Sequence, residues 1–166
     1  MSERVTVRRA TGNDVDAIRR VAERTWYETY DGILDEETIA SLLAAGYSSE
    51  LLEARVGSDD AGLFVATVDD EVVGYASTIP LAEDGVGEMD VYVRPDRWGE
   101  GVGTRLLARA ETHLAERGVG EIRDAVLASN GPGNAFYGSR FEKVGERTVE
   151  IGGVDHVANV YERSIE

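Results

Sequence analysis

The chain has 166 residues, 42% of them apolar, with 32 acidic against 17 basic side chains and a net charge of −15. That length suits one core and a single domain over residues 1–166, and the charge repels nucleic acid and anionic membrane. Cysteine is absent, which excludes disulfides, thiolate metal sites and a cysteine nucleophile; no apolar run spans a membrane and no secretory leader opens the chain, so a cytoplasmic protein is expected.

Val5 and Val7 alternate with Thr6 and Arg8 in a short first strand. Thr11 or Asn13 can cap a helix with Asp14 in its first turn, and Val15, Ile18, Val21, Ala22 and Trp26 form its apolar stripe. Gly32 interrupts. Asp35 caps a second helix carrying Ile39, Leu42 and Leu43, which Gly46 ends, and Ser48 or Ser49 opens a third through Leu51, Leu52 and Val56. After a loop from Ser58 to Gly62, Leu63–Val68 and Glu71–Ile79 form a hairpin about an Asp69-Asp70 turn, and Pro80 to Gly87 is a polar loop.

Met89, Val91 and Val93 then alternate with Glu88, Asp90 and Tyr92, a half-buried strand ending near Pro95. Gly99, Gly101 and Gly103 follow at alternate positions, where backbone approaches something closely or takes positive φ. Leu106, Leu107, Ala110 and Leu114 recur at helical spacing up to Gly118. A helix N-terminus behind such a turn presents unpaired N–H groups and positive dipole, a site suited to phosphate. The lysine of a Walker loop is missing at Gly103-Thr104, and the spacing is not that of a Rossmann turn. On the glycines alone, a turn without a ligand stays open. Ile122–Ala128 reads as a strand, Asn130–Gly133 as a turn, Asn134–Ser139 as a short helix, and Phe141–Ile151 with His156–Ile165 as a closing hairpin about Gly152-Gly153. This order predicts an α+β fold with a central mixed sheet.

The run from Val91 through Leu107 closely resembles the acyl-CoA-binding motif of the GCN5-related N-acetyltransferases, and the resemblance extends from about Val5 to Val149. It implies a central mixed β-sheet flanked by helices, with acetyl-CoA as co-substrate. It also implies that the strand backbone at Val91 and Val93 pairs with pantetheine. The turn and helix start at Trp98, Gly99, Gly101, Val102, Gly103 and Thr104 would hold the pyrophosphate. Where the family carries Arg or Gln three residues before the central glycine, this chain has Trp98, with Arg97 one place earlier. Asn130, followed at family spacing by Phe136-Tyr137, matches the family's pantetheine-contacting Asn and general-acid Tyr. The family's following Gly-Phe lacks its glycine here, and Phe141 arrives one residue early. A core tyrosine with a satisfied hydroxyl is the alternative for Tyr137.

Glu88 first, and Asp90 second, are candidates to take a proton from an ammonium acceptor, directly or through water; both also read as solvated charges. Trp26, Tyr27, Tyr30 and Asp31 fall where the family forms its acceptor side, and aromatics with carboxylates suit a cationic amine. Helix packing and a capping Asp are the alternative. The Trp26-x-x-Thr29-Tyr30 run is similar to the polyamine-acetylating branch. His113, placed off the leucine stripe, and His156 read as bystanders, and no grouping has metal-ligand spacing.

The expected activity is acetyl-CoA-dependent N-acetyl transfer to a primary amine, whether a small amine, a polyamine or a protein amino group. Without cysteine, direct transfer in a ternary complex is favoured. A non-catalytic acyl-CoA-binding sensor and a partner-binding module with a vestigial phosphate turn are the rivals. The acceptor and the oligomeric state, a homodimer included, stay open. Lys143 is the only lysine; with the dense acidic charge, this reads as a protein adapted to a salt-filled cytoplasm.

Overall fold

A computed structural model describes residues 4–80 and 85–165. Seven strands make one sheet in the order β1-β2-β3-β4-β5-β7-β6: β1 Val5–Arg9, β2 Gly62–Val68, β3 Glu71–Pro80, β4 Val86–Val93, β5 Glu121–Leu127, β6 Glu142–Ile151 and β7 Val154–Ser164. Part of the predicted Pro80–Gly87 loop, residues 81–84, lies outside the described residues, and its last two residues already belong to β4. The hairpin between β2 and β3 turns on Asp69 and Asp70, both at positive φ, as a tight two-residue turn requires.

Helices cover both faces. α1 Val15–Tyr30, α2 Glu36–Gly46 and α3 Ser49–Val56 lie on one; α4 Val102–Glu116 and α5 Gly131–Gly138 lie on the other. Leu63 and Val65 of β2 therefore meet Ile18 and Val21 of α1, while Ala66 and Val68 join Leu106 and Leu107 of α4. A strand buried on both faces reads as a continuous apolar run, which is how Leu63–Val68 looks in sequence.

The ends of the helices follow local chemistry. Thr11 caps a short 3-10 turn, Gly12–Asp14, that leads into α1. The buried Asp14 carboxylate takes the Thr11 N–H at 2.8 Å and both Arg8 nitrogens at 2.7 and 2.9 Å, and Arg8 holds it below the usual carboxylate range. Asp35 and Ser48 cap α2 and α3 by accepting from Thr38 N and Leu51 N. At the end of α4, Gly118 N–H bonds Ala115 O and Val119 N–H bonds Leu114 O, the paired bonds of a Schellman stop.

Two sequence expectations are corrected. α5 begins at Gly131, not Asn134: the Asn130 side chain caps it, and Pro132 is tolerated in a first turn whose N–H groups have no intrahelical acceptor. His113 is not on an outer face. It is 2% exposed, edge-on to Phe64, with Nε2 3.1 Å from Asp60 O, because the loop after α3 folds over that side of α4.

The feature that positions the site is a gap in the sheet. β4 and β5 pair in parallel only at Val86–Glu121 and Gly87–Ile122, and the other neighbouring strands are antiparallel. Beyond Gly87 the two strands splay. Arg94 N–H bonds Val73 O on the β3 side, so by strand alternation the N–H and C=O of Met89, Val91 and Val93 turn toward the gap.

Candidate active site

The glycine turn closes one end of this gap. Gly99 and Gly101 have φ of +80° and +82°, and Gly101 is the N-cap residue of α4. No side chain caps the helix, and its first intrahelical bond runs from Arg105 N to Gly101 O. The N–H groups from Gly101 to Thr104 thus have no helical acceptor, and these residues line a cleft of about 480 Å³. Gly103 is glycine for a different reason: a Cβ there would lie 2.8 Å from Phe136 of α5, so the two helix starts can pack this closely only without one.

Val91, Val93, Trp98, Asn130 and Tyr137 line the same cleft, so the residues expected to hold the co-substrate are brought together. Three have their polar groups partly engaged. The Trp98 indole N–H donates to Val93 O at 2.7 Å, so the side chain closes the end of β4 and leaves Val93 its N–H and one lone pair. Asn130 Oδ1 accepts from Gly133 N at 2.9 Å, and its side chain also comes within hydrogen-bonding reach of the Tyr30 hydroxyl. Thr104 Oγ1 accepts from Arg140 Nη2 at 2.7 Å. Arg140, not singled out in the sequence, stacks 4.2 Å above Phe136 and brings a cation to the mouth of the cleft. Arg97 lines it too and reaches Glu100 at 3.5 Å.

The missing glycine before Phe141 does not swing Tyr137 away. The chain tightens after α5, with the N–H groups of Arg140 and Phe141 both bonding Tyr137 O at 3.0 and 2.7 Å. Phe141 then packs 4.9 Å from the Tyr137 ring, and Tyr161 stacks at 5.7 Å. The hydroxyl donates weakly to Met89 O at 3.4 Å across the gap, and burial pushes it well above the usual phenol range, so it keeps its proton near neutrality.

Glu88 and Asp90 share a face of β4, as predicted, and both side chains meet solvent. Asp90 nevertheless stands near a cluster of aromatic side chains. Enclosure by protein, then the Glu88 charge, push its carboxyl up to about 6, with Arg55 opposing. The walls are aromatic: Trp26 meets Tyr30 at 5.3 Å, Tyr92 at 5.7 Å and Tyr47 at 5.8 Å, and Tyr75 joins Tyr47 and Tyr92. Asp90 is within electrostatic reach of all four tyrosines, whose hydroxyls burial keeps neutral. Trp26 Nε1 and Tyr75 Oη are enclosed without a hydrogen bond of ordinary geometry among the described residues, although Tyr75, Tyr47 and Trp26 lie within polar reach of one another. Tyr27 packs against the cluster of Tyr30 and lines, with Tyr47, Arg19 and Glu23, a second hollow behind it, whereas Asp31, grouped with these in sequence, is an exposed residue at the end of α1. Sequence reading missed Tyr47, Tyr75 and Tyr92 as wall residues.

The seven-stranded mixed sheet, its splay and the capless helix behind a glycine turn define an acyltransferase frame, and the comparisons agree. The chain belongs to the acetyltransferase (GNAT) family, whose profile matches residues 17–141. It is 26% identical over 137 residues to the spermidine N(1)-acetyltransferase of Thermoplasma acidophilum, covering 80% of this chain and 84% of that one. It is 29% identical to the uncharacterized N-acetyltransferase YuaI of Bacillus subtilis, covering 90% and 87%. The crystal structure of the PaiA N-acetyltransferase from Thermoplasma acidophilum in complex with coenzyme A superposes with a TM-score of 0.80 at 26% identity, covering 99% of both chains. The protein is an acetyl-CoA-dependent N-acetyltransferase of this family. Among the described residues no helix is long and apolar enough to cross a membrane.

Proposed function

We propose that the acceptor is a cationic primary amine of the polyamine type, and that Asp90 is the group that receives its proton. The observation that carries this is a carboxylate in a neutral aromatic pen one strand position from the cleft-lining Val91. An ammonium is attracted to ring faces and to the carboxylate together, whereas a neutral acceptor gains from neither. Acetyl-CoA supplies the activated acyl group. Val91 and Val93 offer backbone to its pantetheine arm, and the N–H groups from Gly99 to Thr104 hold its pyrophosphate. Asn130 adds its NH₂ to the arm. A β4 N–H aimed into the gap is placed to take the charge that builds on the carbonyl oxygen. Tyr137 donates its proton to the departing sulfur, and Asp90, ahead of Glu88, relays the proton from the amine directly or through water. The Thermoplasma relative named for spermidine supports the polyamine reading. The test compares kcat/KM for a diamine and a triamine with that for neutral amines of matched length; equal values would contradict the cationic acceptor.

Asp90 sets the pH dependence. As a base it must be ionised, so kcat/KM should fall as pH drops below about 6, and Asp90→Asn should remove most of the rate and that acid limb. The stability effect has the opposite sign. A carboxyl raised in the folded protein from 3.8 to about 6 favours folding where it is protonated, and that advantage disappears as pH rises through about 6. Above that pH the ionised group opposes folding, an effect that its exposure to solvent weakens, so Asp90→Asn should melt slightly higher than the parent at pH 8. A lower melting temperature for the variant there would contradict this placement of the charge.

The charge supports a cytoplasm rich in salt as the setting. At a Debye length of about 3 Å in molar salt, the repulsion of a −15 surface is screened. The melting temperature should therefore climb steeply between dilute buffer and molar KCl; a flat profile would count against halophilic adaptation. A homodimer would have Val144, Val154 and Val157, exposed on the β6–β7 hairpin, available for burial.

A further inference from the structure

We propose that Trp98 binds the pantoyl segment of acetyl-CoA, the branched link that joins the pantetheine amides to the pyrophosphate and carries two methyl groups on one carbon. This rests on the coenzyme path proposed above, along β4 and onto the glycine turn.

An exposed apolar side chain by itself calls for no partner. The place of this one does. Trp98 is 41% exposed, and among the described residues the other large exposed apolar side chains, Val144, Val154 and Val157, belong to the β6–β7 hairpin. Trp98 instead lines the cleft, between the end of β4 and the glycines of the turn. Two bonds hold it there. Its backbone N–H bonds Pro95 O at 3.2 Å, closing the short turn Pro95–Arg97, and its indole N–H reaches back to Val93 O at 2.7 Å. The side chain is therefore fixed before a ligand arrives, and little freedom remains to be lost on binding.

The same bonds decide what the ring offers. Arg or Gln at this position would bring donors to a phosphate. The indole has one polar atom, and Val93 O engages it, so the rest of the side chain is apolar. The side chain also turns back toward Val93, at the end of the strand proposed to meet the arm, and not toward the open N–H groups from Gly101 to Thr104. With the arm on Val91 and Val93 and the pyrophosphate on the turn, the piece of coenzyme between them is the pantoyl group. Its two methyls and the ring both shed water when they meet. Adenine, the other group an indole could stack on, is joined to the coenzyme beyond the pyrophosphate.

The two halves of coenzyme A separate these contacts. 4′-Phosphopantetheine carries the pantoyl group without adenine; adenosine 3′-phosphate 5′-diphosphate carries adenine and a pyrophosphate without the pantoyl group. The readouts are Kd for acetyl-CoA by calorimetric titration and inhibition constants for the two halves in competition with acetyl-CoA. Trp98 belongs to none of the core clusters, so its variants should fold. Trp98→Ala should weaken acetyl-CoA and 4′-phosphopantetheine about 10-fold, the worth of burying two methyl groups, and leave the adenosine half nearly unchanged. Trp98→Phe keeps a ring and loses the bond to Val93 O, so it should bind both within about threefold of the parent. In both variants kcat at saturating acetyl-CoA should stay near that of the parent, the pattern of a contact made equally before and during transfer. A loss confined to acetyl-CoA and the adenosine half would make the ring an adenine platform. Equal losses for the two halves, or Trp98→Phe as weak as Trp98→Ala, would make the residue a prop for the turn. Either result, or parental binding by Trp98→Ala, overturns the proposal and leaves the phosphate turn in place. That reading fails separately, if Gly101→Val binds the adenosine half as the parent does.

Discussion

Replacing Gly101 by valine is expected to remove most of the affinity for coenzyme A while the sheet and core stay intact. Gly101 holds φ at +82°, where an L residue costs about 1–2 kcal/mol and a β-branched one more. That strain falls on the N-cap of α4, so it is relieved by moving the N–H groups proposed to hold the pyrophosphate. An added Cβ meets no protein atom within 4 Å; it projects into open space beside the cleft that Gly101 lines. Fold and binding are therefore separable at this residue. They are not separable at Gly103, where a Cβ would first strike Phe136. We expect Kd to rise at least ~10-fold, each factor of ten being about 1.4 kcal/mol. Calorimetric titration in molar KCl, with a melting curve on the same sample, reads both quantities. A folded variant that binds as the parent does would contradict the phosphate assignment.

Tyr137→Phe is expected to lower kcat by roughly 10-fold or more and to leave acetyl-CoA binding nearly unchanged, the pattern of an interaction made only in the transition state. The hydroxyl donates to Met89 O at a weak 3.4 Å, so losing it in the resting enzyme should cost little stability. The ring contacts with Phe136, Phe141 and Tyr161 survive the change. Equal kcat values, with chemistry shown to limit the rate, would leave water as the proton source.

Much of the fold was legible because its elements obey local rules. The alternation from Glu88 to Val93 marked β4, Asp35 and Ser48 marked helix starts, and Asp69-Asp70 marked a hairpin. The start of α5 was misread because Gly131-Pro132-Gly133 has turn composition, and only the Asn130 cap reveals a helix. His113 was misplaced because one apolar stripe describes a helix with one buried face, while a loop covers a second face of α4.

In the candidate site, the glycine turn proposed to hold phosphate stood out in the sequence, since positive φ and close backbone approach leave glycines there. The aromatic cluster proposed to take the acceptor was legible only where two of its rings, Trp26 and Tyr30, share one helix. Tyr47, Tyr75 and Tyr92 arrive from separate segments, and nothing local links them. Glu88 and Asp90 are equivalent by strand parity; the walls around Asp90, which come from elsewhere in the chain, tell them apart.

The central claim is that this protein moves acetyl from coenzyme A to the nitrogen of a cationic amine. The most direct measurement incubates it in molar KCl with isotopically labelled acetyl-CoA and a triamine, following free thiol and, by mass spectrometry, the labelled amine. We predict one labelled N-acetyl product per thiol released, at a rate set by enzyme concentration. Thiol release without labelled product, or neither with any cationic amine while acetyl-CoA still binds, would contradict the claim and leave an acyl-CoA-binding protein without this transfer.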